Sequence, residues 1–374
     1  MPHAPHAAGS GPDTSQAWKA RVRSSCVKLL RIACGYVVGG AGALAFLALS
    51  LPLPWFLGAL SFCLIAAVLK APIDRPRIMS VPVRVVLGVT IGTAFTPALI
   101  SMLGSMAGSL LLLIPFVLII IAAGVVFFER LARFDRPTAF FCAVPGGLTD
   151  MVTMAADAGA NVRAVTLIQA TRIIIIVALL PFWLRLNGQQ GITNAIPPGV
   201  HLSEFGLADA VTLVGLGWAG WVLARRLGLA GAPLVGPMIL SGLAHASGLT
   251  TAKVPIEIMI FAQVTLGIML GAQFRGVTLK EFSTTMVWGL AFGVLLVVAT
   301  ALVATGVARL TGFDSTTVLL AYAPGGQTEL NLLAYILGLD AAFTALHHLV
   351  RLAIVIFGAQ LVFAANSNWR GNSD

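Results

Sequence analysis

Apolar runs of about 20 residues recur along nearly the whole chain, separated by short polar stretches, and alternation of period two is absent. Runs of that length match helices crossing ~30 Å of hydrocarbon. The missing alternation argues against a membrane β-barrel. The runs fall at 32–50, 54–69, 83–103, 106–128 and 162–184, and again at 207–224, 232–249, 256–274, 285–308 and 341–364. They predict an all-α polytopic membrane protein.

Two polar breaks interrupt this pattern. "AVPGGLTDM" starts at Ala143 and "YAPGGQTEL" at Tyr322, 179 positions later. The same offset lays "LGVTIGTAF" at Leu87 on "LGIMLGAQF" at Leu266, Phe134-Asp135 on Phe313-Asp314, Gly159 on Gly338 and Arg172 on Arg351. A register held over 87–172 without a gap reads as an internal duplication, a habit of transporter folds. The expected organisation is a basic, largely disordered arm (1–31), repeat 1 (32–185), a linker (186–206), repeat 2 (207–365) and a polar tail (366–374).

Each break follows a short apolar run, and nine helical residues rise ~14 Å, about half a bilayer. Proline removes a backbone donor, and Gly-Gly adopts turn dihedrals readily. Each segment is therefore a re-entrant hairpin or one crossing helix broken in the middle. Hairpins give five crossings per half and inverted repeats; broken helices give six and parallel repeats. Cytoplasmic loops are enriched in Lys and Arg. The hairpin arrangement places 18 of them inside, with Arg75, Arg77 and Arg84 counted in one cytoplasmic loop, against three outside (Arg185, Lys253, Arg309), whereas broken helices give 16 against five. The count favours about ten transmembrane helices, two re-entrant Pro-Gly-Gly hairpins, inverted repeats and both termini in the cytoplasm.

Composition supports the class. Of 374 residues, 58% are hydrophobic and 10% charged, against about 25% charged in soluble domains. The net charge of +9 lies mainly in the N-terminal arm and short loops, with no aromatic-interleaved basic face, so no direct nucleic-acid partner is expected. Cys26, Cys34, Cys63 and Cys142 show no metal spacing and read as small buried hydrophobes; no metal or cofactor is expected. No small-residue cleavage site follows a short apolar core, so the first helix reads as retained.

Ionisable groups within spans are costly and face protein or water. Thr149 and Asp150 follow the first break, Thr328 and Glu329 the second, and Arg172 and Arg351 stand 22 residues after each carboxylate. One reading makes these a substrate or ion site. The half-helices starting near Gly147 and Gly326 present free N–H groups and a positive dipole end. Gly146 and Gly325 complete the turns, Gln327 and the threonines add neutral ligands, and the carboxylates carry a coupling proton or bind a cation. The structural alternative is a pair of salt bridges, Asp150–Arg172 and Glu329–Arg351. His347 and His348 lie within a turn of Arg351, and Gln169 occupies the position of His348. Gly88, Gly92, Gly267 and Gly271 form two GxxxG pairs suited to close helix packing. Asp135 and Asp314 read as helix N-caps.

With PGGLTD and PGGQTE, the upstream Phe-Asp pairs and the downstream arginines, the sequence resembles the bacterial AbrB-type membrane family over most of 35–365. Its members are labelled membrane regulators of gene expression or ammonia monooxygenases; an unrelated soluble DNA-binding regulator shares the short name. The resemblance implies a protein of a bacterial inner membrane. An oxygenase would need a cluster of metal ligands. The histidines within the spans, His245, His347 and His348, form no HxxH or ExxH pair, and no GxxxxGK[ST] motif is present. The expectation is therefore not an enzyme but a secondary-transporter-like protein moving a small anionic or zwitterionic solute by alternating access. A membrane regulator acting indirectly on expression is the alternative. The expected partners are the lipid bilayer, the solute and H⁺ or Na⁺, with a homo-oligomer left open.

Overall fold

The computed structural model describes residues 14–186, 199–229 and 231–365. Among them are fourteen α-helices and no strand. The first seven are α1 (Thr14–Ala48), α2 (Ala59–Val68, entered through a π-helical turn at Pro54–Gly58), α3 (Ser80–Gly92), α4 (Pro97–Arg130), α5 (Arg136–Ala143), α6 (Leu148–Asp157) and α7 (Val162–Leu186). The second seven are α8 (Leu207–Arg226), α9 (Ala232–Ala246), α10 (Ile256–Gly271), α11 (Leu279–Thr311), α12 (Ser315–Tyr322), α13 (Gln327–Ile336) and α14 (Ala341–Ala365). Shifted by 179, the bounds of α5, α6 and α7 become those of α12, α13 and α14 without adjustment.

Seven helices are long and apolar enough to cross a membrane, and Pro54–Val68 and Ala232–Ala246 are shorter apolar helices. Large apolar side chains such as Leu111, Leu118, Leu302 and Phe357 lie exposed on the outer faces of the long helices, as hydrocarbon rather than water would allow. This is a membrane protein.

Three boundaries differ from expectation. The third span does not reach residue 103: α3 stops at Gly92 and α4 starts at Pro97. The residue before a proline is pushed out of the α region, and Thr96 is extended (φ −104°, ψ 163°). Arg84, counted with a cytoplasmic loop, therefore stands inside the short helix α3. The N-terminal arm is not irregular throughout, because α1 extends back to Thr14; 14–34 contains no Pro or Gly, whereas 1–13 contains five. Residues 1–13, most of the linker (187–198) and the tail (366–374) lie outside the described residues.

The two halves pack by exchanging elements. A Cβ at Gly88 or Gly92 of α3 would run into α9, at the Leu234 carbonyl and Ser241. The other GxxxG pair does the same on the opposite half: a Cβ at Gly267 would sit 2.5 Å from the Phe56 carbonyl, and one at Gly271 2.5 Å from that of Leu60. So α3 rests on α9 and α10 on α2, each contact made by glycines that let backbones meet. The fourth helix of each half likewise packs on the last of the other: Gly289 of α11 meets Thr171 of α7, and Ser109 of α4 bonds His347 of α14 at 2.9 Å.

Candidate functional site

The two Pro-Gly-Gly segments are built by the same sequence of local bonds. Asp135 caps α5 by accepting from the Thr138 N–H at 3.2 Å, and Asp314 caps α12 by accepting from that of Thr317 at 2.8 Å. This is the expected N-cap, satisfying a helix-start N–H with a side-chain oxygen. The first short helix ends before the Pro-Gly-Gly turn. The second, α6 or α13, starts at Leu148 or Gln327. Gly159 (φ +68°) and Gly338 (φ +65°) end it in the left-handed region. The Ala160 N–H then bonds back to Ala155 O, and that of Leu339 to Ala334 O, closing Schellman turns.

The last helix of each half holds the turn. Gln169 Nε2 donates to Phe141 O at 2.6 Å and to Val144 O at 2.9 Å. His348 Nε2 donates to Leu320 O at 3.0 Å. Arg172 donates to Val144 O at 3.1 Å. Arg351 donates to Ala323 O, and at 3.4 Å to Gly325 O. Gln169 and His348 therefore do one structural job, as do the two arginines, which are both buried.

The expected arginine–carboxylate bridge is not what Arg351 makes: its guanidinium goes to main-chain carbonyls left without helical partners where α12 ends. No Glu329–Arg351 ion pair is found among the described residues. The side chains of Thr149 and Asp150, and so the Asp150–Arg172 bridge, lie outside the described residues.

The chain also returns on itself. The Asn161 N–H, at the end of the first segment, donates to Thr138 Oγ1, at its beginning, at 2.9 Å. In the second half, Phe313 just before α12 and Phe343 in the first turn of α14 have ring centroids 4.7 Å apart.

Both turns face one cavity of about 320 Å³. Gly146 and Gly147 line it from the first half, and Gly325, Gly326, Gln327, Thr328, Glu329 and Arg351 from the second. Arg172 does not line it; its guanidinium donates to Val144 O behind the turn. Sequence reasoning missed Arg84 and the apolar walls Ile173, Leu234 and Leu270; Arg84 was read as a topology signal because it lies near Arg75 and Arg77. The starts of α6 and α13 face this space, and two arginines and one carboxylate face it as well. Such a lining attracts a small anion. Among the described residues, no group of three or more His, Cys, Asp or Glu is placed to hold a metal ion.

Comparison with known proteins gives two relatives. The Bacillus subtilis (strain 168) protein YhjN, named as uncharacterized, is 27% identical over 287 residues, which is 73% of this chain and 74% of that protein. The Escherichia coli (strain K12) protein named "Putative regulator AbrB" is 23% identical over 303 residues, 78% of this chain and 84% of that protein. The model of the family described as "Transition state regulatory protein AbrB" matches residues 55–366, most of the chain from the second helix onward, and on that match the chain belongs to the AbrB family.

Proposed function

We propose that this protein is a secondary carrier of a bacterial inner membrane that moves a small anionic or zwitterionic solute by alternating access. The observation that carries the reading is the shared cavity, which both Pro-Gly-Gly turns face and which Arg84 and Arg351 make positive. Irregular backbone at membrane depth is tolerated where it is buried in protein or lines a water-filled cavity. In transporters, half-helix N-termini near the midplane bind anionic groups.

Three contacts favour re-entrant hairpins and inverted repeats over broken crossing helices. The Asn161–Thr138 bond joins the two ends of the first segment; a crossing helix would hold them ~30 Å apart. The Asp74–Arg275 ion pair, 2.7 Å, joins loops that six crossings per half would place on opposite faces. Arg185 donates to Ser50 O at 2.9 Å, and six crossings would separate these two as well. On this reading there are ten crossings, both termini are cytoplasmic, and H⁺ or Na⁺ supplies the coupling. No enzymatic activity is assigned.

A membrane regulator acting indirectly on gene expression is the second reading, favoured by the name of the Escherichia coli relative. Counterflow of radiolabelled small carboxylates and amino acids in proteoliposomes separates the two. The carrier reading requires exchange of at least one of these solutes above protein-free vesicles. Tight binding with no exchange of any of them would favour the regulator.

A further inference from the structure

Glu329 is the third residue of α13, and its carboxylate folds back onto the start of its own helix. It accepts from its own N–H, and its Oε2 occupies the space where a Cβ on Gly326 would stand. Gly326 has an ordinary backbone (φ −69°, ψ 127°), so torsion does not call for glycine there; room for the carboxylate and for Ile173 does. The side chain thus covers the N–H groups that a helix start offers to anions.

The surroundings of that carboxylate are charged but not locked. Arg84 on α3 attracts it across the cavity. From α14, Arg351 is already committed to Ala323 O and Gly325 O. Fully buried His348 spends Nε2 on Leu320 O, and its Nδ1 has no hydrogen-bond partner among the described residues. With Glu329 ionised, the described charges lining the cavity sum to one positive; with it protonated, to two. A protonated Glu329 therefore leaves a free helix start and adds one more uncompensated positive charge. That is the complement of one further carboxylate.

We propose that Glu329 is a resident stand-in for the solute: ionised, it fills the anion place at the start of α13, and protonated, it yields that place to a small carboxylate. One proton then enters with each anion, Glu329 carrying it, and leaves when the solute departs and the carboxylate returns. The cavity stands at the small end of ligand pockets, ~300–1,000 Å³, which limits the solute to a compact carboxylate. The inference rests on the carrier reading of the same cavity.

The test measures binding of acetate, lactate, pyruvate and alanine to the purified full-length protein between pH 6 and 9. The carboxyl groups of these probes stay ionised throughout. The tightest-binding probe should lose affinity by about tenfold per pH unit once Glu329 ionises, the slope for one linked proton. In Glu329→Gln, which keeps an acceptor for the helix start, the change should stay under about twofold. His348→Gln, which copies Gln169, should keep the wild-type slope. A flat wild-type profile, a slope surviving in Glu329→Gln, or no binding of any probe would overturn the proposal. Failure of the carrier reading looks different: pH-linked binding with no counterflow would remove transport and leave the exchange at Glu329 standing.

Discussion

Gln169 and His348, 179 positions apart, each donate to a carbonyl of the short helix in front of the Pro-Gly-Gly turn, Phe141 O and Leu320 O, themselves 179 apart. Two different side chains thus perform one task. His348→Gln should fold and leave the thermal midpoint in detergent nearly unchanged. His348→Ala leaves a buried carbonyl unpaired and should cost about 1–3 kcal/mol. An alanine variant as stable as wild type would show that this bond holds nothing.

The glycine contacts between halves give a second prediction. A methyl at Gly267 meets main chain rather than a movable side chain, and such overpacking costs about 1–3 kcal/mol. Gly267→Ala should therefore lower the thermal midpoint. Gly40→Ala is the control, because nothing lies within 4 Å of a Cβ there; it should be neutral or stabilising. Equal effects at the two positions would contradict the exchanged packing.

The second Pro-Gly-Gly segment is tied to α4 by side-chain hydrogen bonds that the corresponding residues of the first half cannot make. Tyr322 donates to Ser109 O at 2.5 Å, and Ser109 Oγ bonds His347 Nε2 at 2.9 Å. The equivalent positions carry Ala143, Trp288 and Ile168, which cannot form this set. Tyr322→Phe should cost about 1 kcal/mol and speed amide hydrogen exchange in 315–336. Exchange in 136–157 should stay as in wild type. Uniform acceleration in both segments would count against the tether.

Acidity should act at the loops. Burial of Asp74 works against its ionisation, but the Arg75 N–H at 2.8 Å and Arg275 at 2.7 Å outweigh it, with help from Arg77, and hold its carboxyl below the usual range. A carboxyl depressed in the folded state contributes stability above its unfolded pKa. That contribution is lost as pH falls through the folded value. For a partly exposed pair it is about 1 kcal/mol or less. The thermal midpoint of wild type should therefore fall more than that of Asp74→Asn between pH 6 and pH 3. Parallel curves would remove the pair from the stability account.

Much of this architecture was legible because its signals are local. Asp135 and Asp314 as caps, Gly159 and Gly338 as stops, and a constant offset defined the four short helices. Arg351 stands beside its turn as expected, but it bonds main-chain carbonyls and not Glu329. Sequence spacing sets the level at which Arg351 meets the turn, not the direction of its guanidinium, and the free carbonyls of a helix end are invisible in side-chain chemistry. Arg84 was missed because a lone arginine after a basic loop looks like one more topology charge. That both breaks face one cavity needed the folded chain, since no pattern within one half reveals what the other half brings to it.

The central claim is that both Pro-Gly-Gly segments re-enter from opposite faces, and side-specific thiol labelling at their ends tests it most directly. Single cysteines at Arg136 and Asp157 mark the two ends of the first segment, and at Ser315 and Ile336 those of the second. In a cysteine-free background, a membrane-impermeant thiol reagent should reach Arg136→Cys and Asp157→Cys from the cytoplasmic side only. It should reach Ser315→Cys and Ile336→Cys from the outer side only. Labelling of Arg136→Cys and Asp157→Cys from opposite sides would mean that the segment crosses the membrane, and the inverted carrier would be wrong.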